Sequence, residues 1–255
     1  MIWLTLLLAA VVNGQLNLPR GLNHLRFGCS QITVERLDPL VNPGLVGTPH
    51  MHQVVGGNAF NASIPSTDVS SIASCTTCGP ADDLSNYWTA NVYFKARNGS
   101  YKRVPQVPNS CWDGKTLDTP NHQDHVAYPT KGPADFLMPS TCPSTHPVKI
   151  PQLMLEVVWD TTQFNTKAEW PADGSQPFVL STGDNTGYGQ HGDYVFGWKG
   201  DSLQRAMDDN GCFSATCGKQ KSQDVGVANL CRIPKTVVED ADGWMDVLPG
   251  NPMGG

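Results

Sequence analysis

Twenty prolines and 25 glycines are scattered along the chain rather than gathered in one tail. Proline ends or kinks a helix and glycine weakens one. Long helices therefore have little room, and the chain is expected to consist of short elements joined by many turns. Period-two alternation fills the space between these breakers. Over residues 87–97, Trp88, Ala90, Val92 and Phe94 share one face of an expected strand, while Asn91, Tyr93 and Lys95 share the other. Asn98-Gly99 supplies the left-handed geometry of a tight hairpin turn, and residues 101–104 begin the returning strand. Residues 153–159 alternate likewise, and residues 32–37, 176–181 and 193–198 read as further strands. The best short helix is 201–208, with Asp201 or Ser202 to cap it and Asn210-Gly211 to stop it. The expected fold is mostly β: a β-sandwich or jelly-roll-like domain with long irregular loops, few short helices and disulfides.

Residues 2–12 are almost unbroken apolar sequence ending in Val12-Asn13-Gly14, which reads as a signal peptide over 1–14. A single domain is expected over 15–248, followed by a loose tail at 249–255. After cleavage no stretch approaches membrane-spanning length. All eight cysteines fall in the mature part, and an even count behind a secretion signal favours disulfides. Cys75-Thr76-Thr77-Cys78 lacks the βαβ setting of a redox motif and a second pair for zinc, so a local Cys75–Cys78 disulfide is expected. Asn61-Ala62-Ser63 and Asn98-Gly99-Ser100 have the form of glycosylation acceptors. A formal charge of -6 with no basic run argues against nucleic acid or an anionic membrane as partner.

Several polar groups can carry chemistry. His50 and His52, two apart, face the same way on an extended backbone and can reach one ion, but two histidines are not a metal motif until a third ligand is found. They can equally serve another catalytic role or sit in a turn beside Pro49. His122, Asp124 and His125, with Asp118 nearby, make a second cluster in which a histidine base can be oriented by a carboxylate. Glu156 and Asp160 lie roughly 13 Å apart on a regular strand, too far for either glycosidase arrangement. Glu156 can still pair with a carboxylate from another strand or simply face solvent. The densest signal is the Gly-rich run 183–194, where His191 and Asp193 emerge on one face of a strand that begins early. Trp88, Trp159 and Trp198 fit strand cores, whereas Trp112 and Trp170, set among turns, are candidates for the surface.

Longer strings carry a resemblance. They include Arg26-Phe27-Gly28-Cys29, residues 35–44, and Pro49-His50-Met51-His52 through Phe60. Further along stand Cys111-Trp112-Asp113-Gly114-Lys115, Asp118, His125-Val126-Ala127-Tyr128-Pro129 and residues 142–147. Gly187-Tyr188-Gly189, His191-Gly192-Asp193-Tyr194 and Gly197-Trp198 complete the pattern. Together they resemble the fungal secreted family called domain of unknown function 1996. The resemblance implies an extracellular or wall-associated protein with a cell-wall or plant polysaccharide as partner, and it assigns no catalytic roles. The chain departs from it between 106 and 111, where similar chains run considerably longer.

Three readings of function follow. The first is a secreted carbohydrate-active enzyme using His50, His52, His125, His191, Asp193 and Glu156, with Trp112, Asp118, Asp184 and Tyr188 as substrate contacts. The second is a non-catalytic polysaccharide-binding or wall protein. The third is a metal-dependent oxidative enzyme, which requires several histidines to converge; the residues by themselves name no cofactor. The leader yields a direct expectation: the secreted protein begins at Gln15. N-terminal sequencing checks this, and a retained apolar leader overturns it.

Overall fold

The computed structural model describes residues 27–65, 67–104, 160–209 and 217–250, with short pieces at 25, 111–112, 126–127, 130, 143–146 and 153. Nine strands lie within them: β1 Gln31–Glu35, β2 His52–Gly56, β3 Asn86–Ala90, β4 Val92–Lys95, β5 Tyr101–Val104, β6 Cys111–Trp112, β7 Val126–Ala127, β8 Phe178–Leu180 and β9 Gly192–Val195. Two short α-helices, α1 Ser202–Met207 and α2 Val225–Ala228, follow. One antiparallel sheet has the order β1-β2-β3-β9 and a second has the order β5-β4-β8, while β6 pairs with β7 alone. The expectation of a mostly β, disulfide-bearing domain with few short helices holds.

The strand expected over 87–97 is divided. β3 belongs to the first sheet and β4 to the second, and Asn91 stands between them. The alternation on either side is real, but the backbone changes partners at Asn91, whose N–H meets the Met51 carbonyl and the Ser181 hydroxyl and whose carbonyl accepts the Ser181 N–H. Strands that switch sheets make corners in this way. Trp88 consequently packs with Ile32, Val54 and Phe60, whereas Phe94 packs with Val104 and Phe164. A further cluster draws Val34 from the first sheet together with Tyr93 and Val179 from the second. The hairpin after β4 turns as expected, with Gly99 at φ +92 and Asn98 Oδ1 accepting from the Ser100 N–H.

Other expectations need amendment. Asp201 precedes α1, but its side chain makes no cap bond and pairs instead with Arg205. Trp88 and Trp198 are core residues. Trp170 is not a free surface platform: it is half-buried, its indole N–H donates to the Phe164 carbonyl, and the Lys167 ammonium sits 3.2 Å from its ring centre. Apart from Leu153, the strand expected over 153–159, and Trp159 with it, lies outside the described residues.

The expected Cys75–Cys78 bridge is replaced by Cys29–Cys78 and Cys75–Cys231. Segment 75–78 is extended, with Thr76 bridging to Gly57 and Cys78 to Cys29. Residues three apart on extended backbone face opposite ways, so the two thiols cannot meet. Cys75 turns to the cluster around Trp88, where Cys231 is buried. The Cys75–Cys231 link ties residues 156 apart in sequence. Replacing both by Ser is expected to lower stability by about 2–5 kcal/mol, read by chemical denaturation. Peptide mapping without reduction should recover both pairings, and a Cys75–Cys78 peptide would overturn them.

Candidate functional site

A single cross-strand row builds the site. His52 stands opposite Glu35 on β1 and Ala90 on β3, and β9 pairs Gly192 with Thr89. The same register carried one residue further sets His191 against Ala90. Residues paired across an antiparallel ladder project from the same face, so two imidazoles flank a methyl group and have room to meet above it. The next row on that face is Val54, Trp88 and Asp193, the first two of them core residues. Glu35, at the far end of the histidine row, is fully engaged elsewhere: it accepts from the Thr33 hydroxyl and from the Thr236 and Val237 N–H groups.

The three histidine rings close on one point. Nε2 of His191 lies 3.2 Å from Nε2 of His50 and 3.4 Å from Nε2 of His52. One ligand nitrogen from each ring falls within 4.8 Å of the others. Backbone carbonyls fix two of the tautomers. His52 Nδ1 sits 2.9 Å from the Leu37 carbonyl and His191 Nδ1 sits 3.0 Å from the Gly189 carbonyl. A carbonyl only accepts, so both Nδ1 atoms carry the proton, and in the neutral rings both Nε2 atoms present lone pairs to each other. Burial, and then the neighbouring His191, hold His50 down to about 4. His52 is held well below its ordinary range by burial and by the other two histidines. Near neutral pH those two rings are uncharged, and a metal cation is the natural partner for the converging lone pairs. Four ligand atoms at about 2.0–2.1 Å around a zinc-sized ion stand about 3.3 Å apart, close to the two shortest contacts here. Nδ1–H groups tied to backbone carbonyls are also the usual second layer behind metal-bound histidines.

Two carboxylates border this point. Asp193 is pushed up to about 6, first by burial and then by Asp38, with His191 acting against them. Asp38 was not singled out as a site residue in the sequence, yet its Oδ2 lies 3.9 Å from His52 Nε2. The available signal was its position beside Leu37, at the end of the strand that faces His52, although an Asp-Pro pair reads first as a turn. Asp184 builds its own loop: its carboxylate accepts from the Thr186 N–H and hydroxyl and from the Gly189 N–H, which lowers its pKa. Tyr188, at the tip of that loop, is 95% exposed. The structure thus unites His50, His52, His191 and Asp193. His125, Glu156 and Asp118, with the side chain of Trp112, lie outside the described residues.

These features define an antiparallel β protein with a three-histidine, carboxylate-bordered site at one end of a sheet face. The chain matches the family described as Domain of unknown function (DUF1996) over residues 38–110 and 106–198, and it belongs to that family. The first segment contains Asp38, His50 and His52, and the second contains His191 and Asp193. The segments overlap at 106–110. No curated protein and no solved structure matches the chain.

Because folded His50 takes its proton near pH 4, against 6.5 when unperturbed, the unfolded chain binds more protons between those values. His50 therefore costs stability as pH falls through that window. Asp83 and Asp193, both raised to about 6, act in the opposite direction above their ordinary 3.8. Comparison with His50→Gln isolates the histidine. The metal-free parent is expected to lose stability relative to that variant between about pH 6.5 and 4, measured by denaturant unfolding at each pH; parallel curves would refute the assignment.

Proposed function

We propose that His50, His52 and His191 hold a divalent transition-metal ion, and that the protein is a secreted metal-dependent enzyme acting on an extracellular polysaccharide. The observation that carries the metal reading is the meeting of the His52 and His191 Nε2 lone pairs at 3.4 Å with both Nδ1 atoms committed to carbonyls. When bound, such an ion polarises a substrate oxygen or lowers the pKa of a bound water.

The chain's own residues supply the rest. Asp193, half-buried on the same face and raised to about 6, is suited to accept a proton near working pH. The Asp184 bonds hold the loop from Thr186 to Gly189 in shape, which leaves Tyr188, three residues before His191 in the chain, exposed as a flat surface for a sugar ring. The resemblance to secreted wall-associated proteins supports the polysaccharide class, and the Cys29–Cys78 and Cys75–Cys231 disulfides accord with an oxidising compartment. Exposed Tyr188 also favours a second reading, in which the face binds polysaccharide without turnover.

Metal analysis of the secreted protein, stripped by chelator and reloaded with Zn²⁺, Mn²⁺ or Cu²⁺, tests the first step. One ion per chain is expected, with affinity lost by about 100-fold or more in His52→Ala and His191→Ala, since even outer partners of a ligand are worth about 10–100-fold. Screening β-glucans, chitin and plant cell-wall polymers for binding and for products tests the second. Turnover should require the ion and vanish in His191→Ala, whereas Tyr188→Ala should weaken binding more than the chemical step. A parent that holds no stoichiometric metal overturns the proposal. Binding without product under every metal would leave the non-catalytic reading standing.

A further inference from the structure

One motif of the sequence takes no part in the histidine site. Asn98-Gly99-Ser100 has the spacing of an N-glycosylation acceptor, with glycine rather than proline at its centre. It forms the tip of the β4–β5 hairpin. Lys95 pairs with Tyr101, and the Ala96 N–H donates to the Ser100 carbonyl at 2.8 Å, so residues 97–99 stand beyond the ladder. Asn98 is exposed, and a methyl group added at Gly99 would meet no atom within 4 Å. Asn98 Oδ1 accepts the Ser100 N–H at 3.0 Å and the Ser100 hydroxyl at 2.7 Å. Both bonds fall on the oxygen, so Nδ2, the atom to which an N-linked sugar attaches, takes no part in holding the turn. The other acceptor-like motif, Asn61-Ala62-Ser63, is placed differently. Asn61 is exposed too, but Ala62 is buried in the cluster around Trp88, and its carbonyl accepts the Gly44 N–H at 2.8 Å. Once that packing forms, the centre of the motif is no longer free to enter an enzyme's cleft. A hairpin tip stays accessible both before and after the core assembles.

We propose that Asn98 carries an N-linked oligosaccharide. The proposal rests on the secreted part of the reading above and is independent of the metal. In the transfer, Asn98 Nδ2 forms a bond to the anomeric carbon of an oligosaccharide carried on a lipid pyrophosphate. The bond from that carbon to the pyrophosphate oxygen breaks, the lipid pyrophosphate leaves with the electron pair, and Nδ2 gives up one of its two protons. Nothing is oxidised or reduced. The product is compatible with the fold, because the substituted amide keeps Oδ1 as the acceptor for Ser100. It also stands clear of the histidines. At about 3.3 Å per residue of strand, Ala96 lies about 16 Å from Asn91, the residue whose N–H meets the Met51 carbonyl between His50 and His52. A bulky, solvating sugar therefore grows from the end of the second sheet away from that corner.

The full chain is secreted from a eukaryotic host, and its peptides are mapped by mass spectrometry before and after peptide-N-glycosidase, which converts a glycosylated Asn to Asp. Conversion at position 98 is expected in most molecules. Asn98→Asp and Ser100→Ala should each lose one glycan and migrate faster on a gel, while Ser100→Thr keeps it. Asn98→Asp retains the acceptor for the Ser100 N–H and hydroxyl, so it should still be secreted and melt with the enzymatically deglycosylated parent. Ser100→Thr reads the site in a chain with the motif intact should either loss variant fail to fold. Secreted parent that is unmodified at position 98, or modified at position 61 alone, overturns the proposal and leaves secretion standing. A chain retained in the cytosol overturns secretion and the glycan together. Metal analysis of the same preparation separates the two readings, because the glycan is expected whether or not the ion is found.

Discussion

The carbonyl of Met51 is the joint on which the site depends. It receives the Asn91 N–H and, at 2.7 Å, the Ser181 hydroxyl, so one acceptor ties the segment between His50 and His52 to the corner between the two sheets and to the end of β8. Met51 itself is fully buried in the cluster the two sheets share. Its side chain belongs to the core while the histidines on either side face away from it, as alternation along an extended backbone requires. A two-residue spacing thereby becomes a rigid pair of imidazoles. The Asn91 side chain at this corner is buried without a hydrogen-bond partner among the described residues, a cost the fold bears where the sheets part.

Much of the architecture was legible because alternation is local. The residues on either side of Asn91, the Asn98-Gly99 turn, β8 and β9 all announce themselves through neighbours in the sequence. Where the reading failed, the deciding partner lay far away. Nothing within residues 87–97 says that Asn91 will bond to Met51 and Ser181, so a corner looked like the middle of a strand. The spacing of Cys75 and Cys78 suggested a local loop, while extended pairing with residues 28–30 and 56–58 turned the two thiols apart.

The site divides in the same way. The spacing of His50 and His52 and the exposed edge holding His191 and Asp193 were visible separately, but their union depends on register through β3. Ala90 between two imidazoles carries no signal in the sequence. It reads as one more small apolar residue on a core face, and only the pairing of His52 with Ala90 and of Thr89 with Gly192 reveals that it separates two imidazoles. Asp38 was masked for a different reason: its Oδ1 does what an aspartate in a turn ordinarily does, and nothing nearby in the sequence shows that its Oδ2 comes to lie 3.9 Å from His52.

The placement of the polar groups also sets a constraint on the chemistry. The face that carries His52 and His191 continues directly into the apolar cluster of Val54 and Trp88, with Phe60 packed 5.3 Å from the Trp88 ring. A hydrophobic row at the histidine positions would extend that cluster and remove the desolvation that depresses His50 and His52. Two carboxylates and three imidazoles stand there instead, at a cost: burial and then the charge of Asp38 raise Asp193, and burial and then neighbouring histidines disfavour protonated His50 and His52. A cation reverses each of these terms at once, because lone pairs and carboxylate charge that repel one another are all attracted to it. The same burial that makes the cluster costly by itself would strengthen the electrostatic hold on an ion placed there, and the rigidity supplied by the Met51 joint holds together imidazoles that would otherwise relax apart.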